Sequence, residues 1–175
     1  MMHLTTLRPL REDDLAMLLQ WRNAPEVRLY MYTQHKISEA EHLAWFQRSQ
    51  DNPNHHLLLA EQKKQPFGFV NIQLLNNEAQ RGEWGFYLSP FEPKGSGQAL
   101  GFTALAHAFG VLRLHKLCGE ALFSNKRSQR LHERLGFTQE SHLRDHHFDG
   151  HAYHDVIGYG LLHSEWQACK EFDFP

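Results

Sequence analysis

The sequence predicts an α+β (mixed α/β) fold, and three observations carry that prediction. The N-terminal third repeats apolar residues at helical spacing. The middle breaks into short β-rich runs divided by turn residues. The C-terminal half interleaves helix-like segments with strands and closes on a hairpin.

In order, residues 3–8 read as a short strand. Asp13 and Asp14 precede Leu15, Leu18, Leu19 and Trp21, a helical face that stops near Ala24-Pro25, because the residue before proline avoids the helical region. Ser38-Glu39-Ala40-Glu41 has the form of a capping box and predicts a helix over 39–49, with Leu43, Trp45 and Phe46 on its apolar side. Residues 57–60, 67–75 and 83–88 read as three strands at hairpin spacing, with turns at Gln65-Pro66 and at Asn76-Asn77-Glu78. The glycine segment Lys94-Gly95-Ser96-Gly97 then opens a helix over 98–112. Residues 114–123 alternate as a strand, and 125–135 form a helix capped by Gly136. Two last strands, 137–148 and 153–162, turn at Asp149-Gly150.

The 175 residues carry no repeat or linker-like run, so residues 1–175 are expected to form a single domain. Lys plus Arg number 18 against 20 Asp plus Glu, a net charge of −2, which gives no electrostatic reason to expect a nucleic-acid partner. No run approaches the length of a membrane span, and the first ten residues lack the apolar core of a signal peptide. The two cysteines, Cys118 and Cys169, lack zinc or disulfide spacing, so the expected location is cytoplasmic. Histidine is abundant, at 14 residues. His142, His146, His147, His151 and His154 flank the last turn, but adjacent strand residues face opposite ways. A polar hairpin rim is therefore expected rather than a metal site.

Two motifs carry chemistry. Gly95-Ser96-Gly97 lies between a strand and a helix, where glycines admit close backbone approach and a helix start offers amides to phosphate. The segment is neither a P-loop nor a dinucleotide fingerprint. The second motif is Asn125-Lys126-Arg127-Ser128-Gln129-Arg130-Leu131-His132-Glu133-Arg134-Leu135-Gly136-Phe137, an amphipathic helix with a polar start. Together they resemble the GNAT N-acetyltransferase superfamily. Its Q/R-x-x-G-x-G/A turn matches Glu92 through Gly97, with Glu92 at the usual Gln/Arg position and Lys94 as a substitute cation. Its N-x-x-S/A-x-x-L-…-G-F pattern matches Asn125, Ser128, Leu131, Gly136 and Phe137.

The resemblance implies a central mixed, mostly antiparallel sheet, flanked by helices and splayed at the cofactor. It also implies acetyl-CoA as co-substrate without a metal, and direct transfer in a ternary complex. The cofactor residues it implies are Phe86, Tyr87 and Leu88 on the splayed strand, Lys94, Gly95, Ser96 and Gly97 at the turn, and Asn125 and Ser128. An extended ligand can complete such an unpaired strand edge. For the leaving thiolate, His132 stands where the superfamily often has a tyrosine and is the candidate acid; solvent is the alternative. Glu83 and Glu120 are the candidate bases, with exposed strand carboxylates as the alternative.

Within the superfamily, Trp21-Arg22-Asn23, Arg28, Met31-Tyr32 and residues 38–45 resemble the pseudaminic-acid-pathway (PseH-type) branch. That branch acetylates the 4-amino group of a UDP-linked 4-amino-4,6-dideoxy-N-acetyl-altrosamine, in a route to flagellin or surface glycans. It implies Arg22, Asn23, Arg28, Met31, Tyr32, His42 and Trp45 as substrate residues, the arginines for the diphosphate and the apolar side chains for uracil or the deoxysugar. Trp45 and Met31 equally fit a core. A protein N-terminus or another small amine, and a non-catalytic acyl-CoA or nucleotide-sugar binding module, are the other readings. A homodimer is also implied as possible.

Overall fold

The computed structural model describes residues 5–171, with side chains to residue 168. Seven strands form one sheet: β1 (Thr5–Pro9), β2 (His55–Gln62), β3 (Gln65–Asn76), β4 (Arg81–Leu88), β5 (Lys116–Leu122), β6 (Thr138–Phe148) and β7 (Tyr153–Leu162), in the order β1-β2-β3-β4-β5-β7-β6. Every neighbouring pair is antiparallel except β4 and β5, which run parallel. Six helices flank the sheet: α1 (Leu15–Asn23), α2 (Pro25–Arg28), α3 (Glu39–Gln50), α4 (Ser96–Ala106), α5 (Lys126–Arg134) and α6 (His163–Glu171).

The residues explain the elements. Leu15, Leu18 and Trp21 bury the inner face of α1, and Arg8 ties β1 to the helix entry and to β2 through Asp14 and Glu61, at 2.7 and 2.8 Å. Ser38 Oγ accepts from the Glu41 amide and starts α3. The reciprocal half of the expected box does not form, because the Glu41 carboxylate accepts from His35 instead. Helix α4 begins on Gly95, whose φ of +105° suits glycine, and passes into a single π turn over His107–Val111. Asn125 caps α5 by accepting from the Ser128 amide, and Gly136, with φ +89°, releases the chain into β6.

The predicted strands and main helices are all present, with four local differences. The β2–β3 turn sits at Lys63-Lys64, both with positive φ, rather than at Gln65-Pro66, so lysines hold a conformation that side chains usually avoid. The last turn spans 149–152, where Asp149 Oδ1 accepts from the His151 and Ala152 amides. The one-turn α2 continues past Pro25, which is well placed at a helix start. Helix α6 extends the chain beyond the last predicted strand. Residues 3 and 4 of the first predicted strand and the Cys169 side chain lie outside what is described; Cys118 is a free thiol.

Two apolar clusters cover the two faces of the sheet. One packs α4, α5 and α6 against Val70, Ile72, Trp84 and Leu117, and the other packs α1 and α3 against Leu57, Leu59 and Phe69. Pairing between β4 and β5 covers only Arg81–Trp84 against Lys116–Gly119. Beyond Trp84 the strands diverge, and a cleft opens between the two ends of the sheet's centre.

Candidate active site

The cleft has a volume of about 910 Å³. Its walls are Gly85–Pro90 on β4 and after it, Glu120–Leu122 on β5, Lys94, Gly95 and Gly97 of the turn, the start of α5, and Glu26, Val27, Tyr30, Met31 and Tyr32. Three environments follow one another along it.

The first is basic. Lys94, Arg127, Arg130 and Arg134 line the cleft together with Gly95 and Gly97. A side chain at Gly95 would meet nothing within 4 Å, so the glycine answers its φ and leaves the backbone open to a ligand. At Gly97 an added Cβ would lie 3.3 Å from Leu131, so there the glycine lets α4 close on α5. Ser96 turns away from the expected role: its hydroxyl donates to Pro93 O at 3.1 Å and to Glu92 Oε2 at 3.3 Å. Glu92 is therefore a partner of the turn, and Lys94 is joined by the cations of α5. The sequence did not single out Arg127, Arg130 and Arg134 as cleft residues, although their spacing of three and four places them on one helix face. Such a face beside a helix start suits a pyrophosphate and a further phosphate. Arg130→Ala is expected to raise the dissociation constant for acetyl-CoA about tenfold, and more at low salt, as read by calorimetry at two ionic strengths.

The second environment is the open strand. Phe86, Tyr87 and Leu88 lie along the cleft where β4 has lost its parallel partner, so their backbone is available to an extended ligand. Asn125 and Ser128 reach the same space from the start of α5.

The third holds the carboxylates. Glu83 and Glu120 come from adjacent strands on the same face, since Glu83 pairs with Cys118 and Glu120 lies two residues further on. Tyr32 donates its hydroxyl to Glu120. Burial, and then the Glu120 charge, push the Glu83 carboxyl above its usual range. Around them stand Val27, Tyr30, Met31 and Tyr32, with the amides of Asn71 and Gln73 on β3 and Glu26 at the rim.

Several expected residues lie elsewhere. His132 is 1% exposed, behind the cleft wall. Its Nδ1–H donates to Ser128 O at 2.9 Å, and its Nε2 accepts from the Trp84 indole at 3.1 Å. Burial lowers its pKa to about 4. With both nitrogens engaged and the ring stacked on Tyr159, it presents no proton to the cleft, which removes it as the acid. Asn23 is occupied by Ile37, whose amide and carbonyl it bonds at 2.8 Å, so it fastens the chain after α2 to α1. Arg22 donates to Thr33 O at 2.8 Å and braces the same segment; burial lowers its pKa. His42 is buried and stacked on Trp45, which packs edge-on against Phe69 of the second core cluster. Arg28 lies on α2 next to the lining residues Glu26 and Val27. Met31 and Tyr32 line the cleft, beside the two carboxylates.

The histidines of the last hairpin separate as adjacent strand residues must. His142 pairs with Asp155 and His154 with Asp149, each at 2.6 Å, while His147 lies against the Tyr32 ring at 4.6 Å. Among the described residues no group of three or more His, Cys, Asp or Glu could hold a metal ion, and no helix is long and apolar enough to cross a membrane.

Residues 5–138 match the acetyltransferase (GNAT) domain family. The chain is 26% identical to the spermidine N(1)-acetyltransferase of Vibrio cholerae over 169 residues, 95% of this chain and 97% of that protein. It is also 26% identical to the acetyltransferase PseH of Campylobacter jejuni over 148 residues, 85% of this chain and 92% of that one. Among solved structures it is similar to the Vibrio cholerae spermidine N-acetyltransferase in complex with CoA and spermine, with a TM-score of 0.86 and 25% identity over 93% of this chain and 98% of that one.

Proposed function

The chain belongs to the GNAT acetyltransferase family and is an acetyl-CoA-dependent N-acetyltransferase, and on that premise we propose its acceptor. The acceptor is the 4-amino group of a UDP-linked 4-amino-4,6-dideoxy sugar, UDP-4-amino-4,6-dideoxy-N-acetyl-β-L-altrosamine. The reaction is direct attack in a ternary complex, in cytoplasmic pseudaminic acid biosynthesis that leads to glycosylated flagellin. The match to PseH supports the reading, and the acceptor end of the cleft carries it.

That end joins an apolar and aromatic wall, Val27, Met31, Tyr30 and Tyr32, to the amides of Asn71 and Gln73. Aromatic faces and amides suit a deoxysugar ring and a uracil, which are flat or apolar on one side and hydrogen-bonding at the edge. Glu120 is engaged by the Tyr32 hydroxyl, which leaves that carboxylate less free for a polycation. Arg28, on α2 next to the lining residues Glu26 and Val27, is the cation nearest in sequence to this end for the diphosphate.

The chain's own residues then divide the work. The basic face and the Gly95–Gly97 turn hold the pyrophosphate of acetyl-CoA. The free edge of β4 takes the pantetheine amides and fixes the thioester near Glu83. Glu83 receives the proton that the attacking amine releases, directly or through one water. Solvent in the open cleft protonates the leaving thiolate.

One observation favours a second reading. The spermidine N(1)-acetyltransferase match spans nearly the whole chain, and Glu26, Glu83 and Glu120 share one end of the cleft. A small polyamine is therefore the alternative acceptor. Assembly of copies of this chain is part of either reading, since a dodecameric spermidine N-acetyltransferase resembles it with a TM-score of 0.78.

The test is thiol release from acetyl-CoA with the UDP-4-amino sugar, spermidine and a protein N-terminal peptide as parallel acceptors. The expected result is a kcat/KM for the sugar at least 100-fold above the other two, with a mass gain of one acetyl on the nucleotide sugar. Preference for spermidine would transfer the function to polyamines.

A further inference from the structure

Tyr32 bridges the segment after α2, strand β5 and the final hairpin at the carboxylate end of the cleft. Its hydroxyl donates to Glu120 Oε2, on a residue 88 positions away, and its ring lies 4.6 Å from that of His147 on β6. The segment that carries it is fastened to α1 at two places, by Arg22 on Thr33 and by Asn23 on Ile37. Tyr32 is thus held by the fold on its own side and aimed at the one carboxylate that sits beside Glu83.

We propose that Tyr32 is a positioning residue: it fixes Glu120 as the charged neighbour of Glu83, so that Glu83, rather than Glu120, takes the proton from the amine. Glu83 and Glu120 stand on one face of adjacent strands, so the charge of one acts on the other. The Tyr32 hydroxyl donates to Glu120 Oε2 and holds that carboxylate in place. Burial, and then the Glu120 charge, raise the Glu83 carboxyl above its usual range, and Glu83 remains open to the cleft. The other groups facing the pair are Cys118 on β5, with Arg81 and Lys116 beyond it, and His147 from the hairpin. None of them is hydrogen-bonded to Glu120 in place of Tyr32. The assignment rests on acetyl transfer in this cleft and not on which amine is the acceptor.

The experiment is a double-mutant cycle of Tyr32→Phe, Glu120→Gln and the pair, read as kcat, KM and the pH profile of kcat/KM with the UDP-4-amino sugar. A phenol titration by ultraviolet absorbance accompanies it, taken as wild type minus Tyr32→Phe. Each single variant is expected to lower kcat about 10- to 100-fold, with the KM for acetyl-CoA unchanged and the Glu83 limb moved to lower pH. The double variant should be no worse than Glu120→Gln alone, because the two residues act as one unit. The Tyr32 phenol should ionise well above a free tyrosine in the wild type and at lower pH in Glu120→Gln. A Tyr32→Phe effect confined to the acceptor KM, additive losses, or a phenol titration indifferent to Glu120→Gln would overturn the assignment. If the wild type turns over only spermidine, the sugar reading fails alone, and the same cycle in spermidine decides this one; the phenol titration decides it without turnover.

Discussion

Replacing Glu83 with Gln is expected to lower kcat by about 10²- to 10⁴-fold while the KM for acetyl-CoA changes little. Gln keeps the shape of the side chain and its place on β4, but it accepts no proton. The proposed cofactor contacts lie further along the cleft, on the turn and on α5, so the substitution leaves them untouched. The pH profile gives a second signature. Burial and the Glu120 charge raise the Glu83 pKa, so the active, ionised form is lost as pH falls at a higher pH than for an ordinary carboxylate. The amine contributes its own ionisation to the same side of the profile. The acid side should therefore be steeper by one proton in the wild type than in Glu83→Gln. Equal kcat and equal slopes in the two proteins would leave Glu83 without a role in proton transfer.

His132→Ala should act on stability instead. The ring fills a space between Trp84, Phe86, Phe137 and Tyr159. Truncation leaves a cavity there and strips the Trp84 indole of its acceptor, a loss of about 3–5 kcal/mol for a fully buried ring. Urea denaturation measures it, and the folded enzyme should keep kcat within a few-fold. The same ring makes stability pH-dependent. Its folded pKa of about 4 lies below the ordinary imidazole value of 6.5, so the unfolded chain binds the proton first as pH falls. The stability is full above pH 6.5 and declines between there and about 4, by roughly 3 kcal/mol in total. A kcat collapse at unchanged stability would instead return His132 to the chemistry.

The difference between these two residues shows what a sequence conveys. Glu83 was legible because a strand residue's face follows from its parity, and parity survives small errors in strand bounds. His132 was misread because the motif fixes its place on α5 but not the direction of its ring. That direction is set by Trp84, 48 residues away, and by Gly119, where an added Cβ would come within 2.6 Å of both rings. The same limit applies to Asn23, His42 and Trp45, whose residue types suit a ligand and a core equally well. Local signals were sufficient for α3, for the β2–β3–β4 meander, and for the cap at Gly136. They failed at Lys63-Lys64, where tertiary pairing overrides the preference for glycine or asparagine in a tight turn. The arginine face of α5 was readable from spacing alone, yet amphipathicity already accounted for it, so nothing marked it as a binding surface.

The measurement that bears most directly on the central claim is a crystal structure of the enzyme with CoA and the UDP-4-amino sugar together. The account predicts the pyrophosphate of CoA on the Gly95–Gly97 turn, with arginines of α5 at the phosphates and the pantetheine along the free edge of β4. The sugar should place its 4-amino nitrogen within hydrogen-bond reach of Glu83, against Met31 and Tyr32. A nucleotide sugar bound outside the cleft, or a 4-amino nitrogen turned away from Glu83, would contradict it.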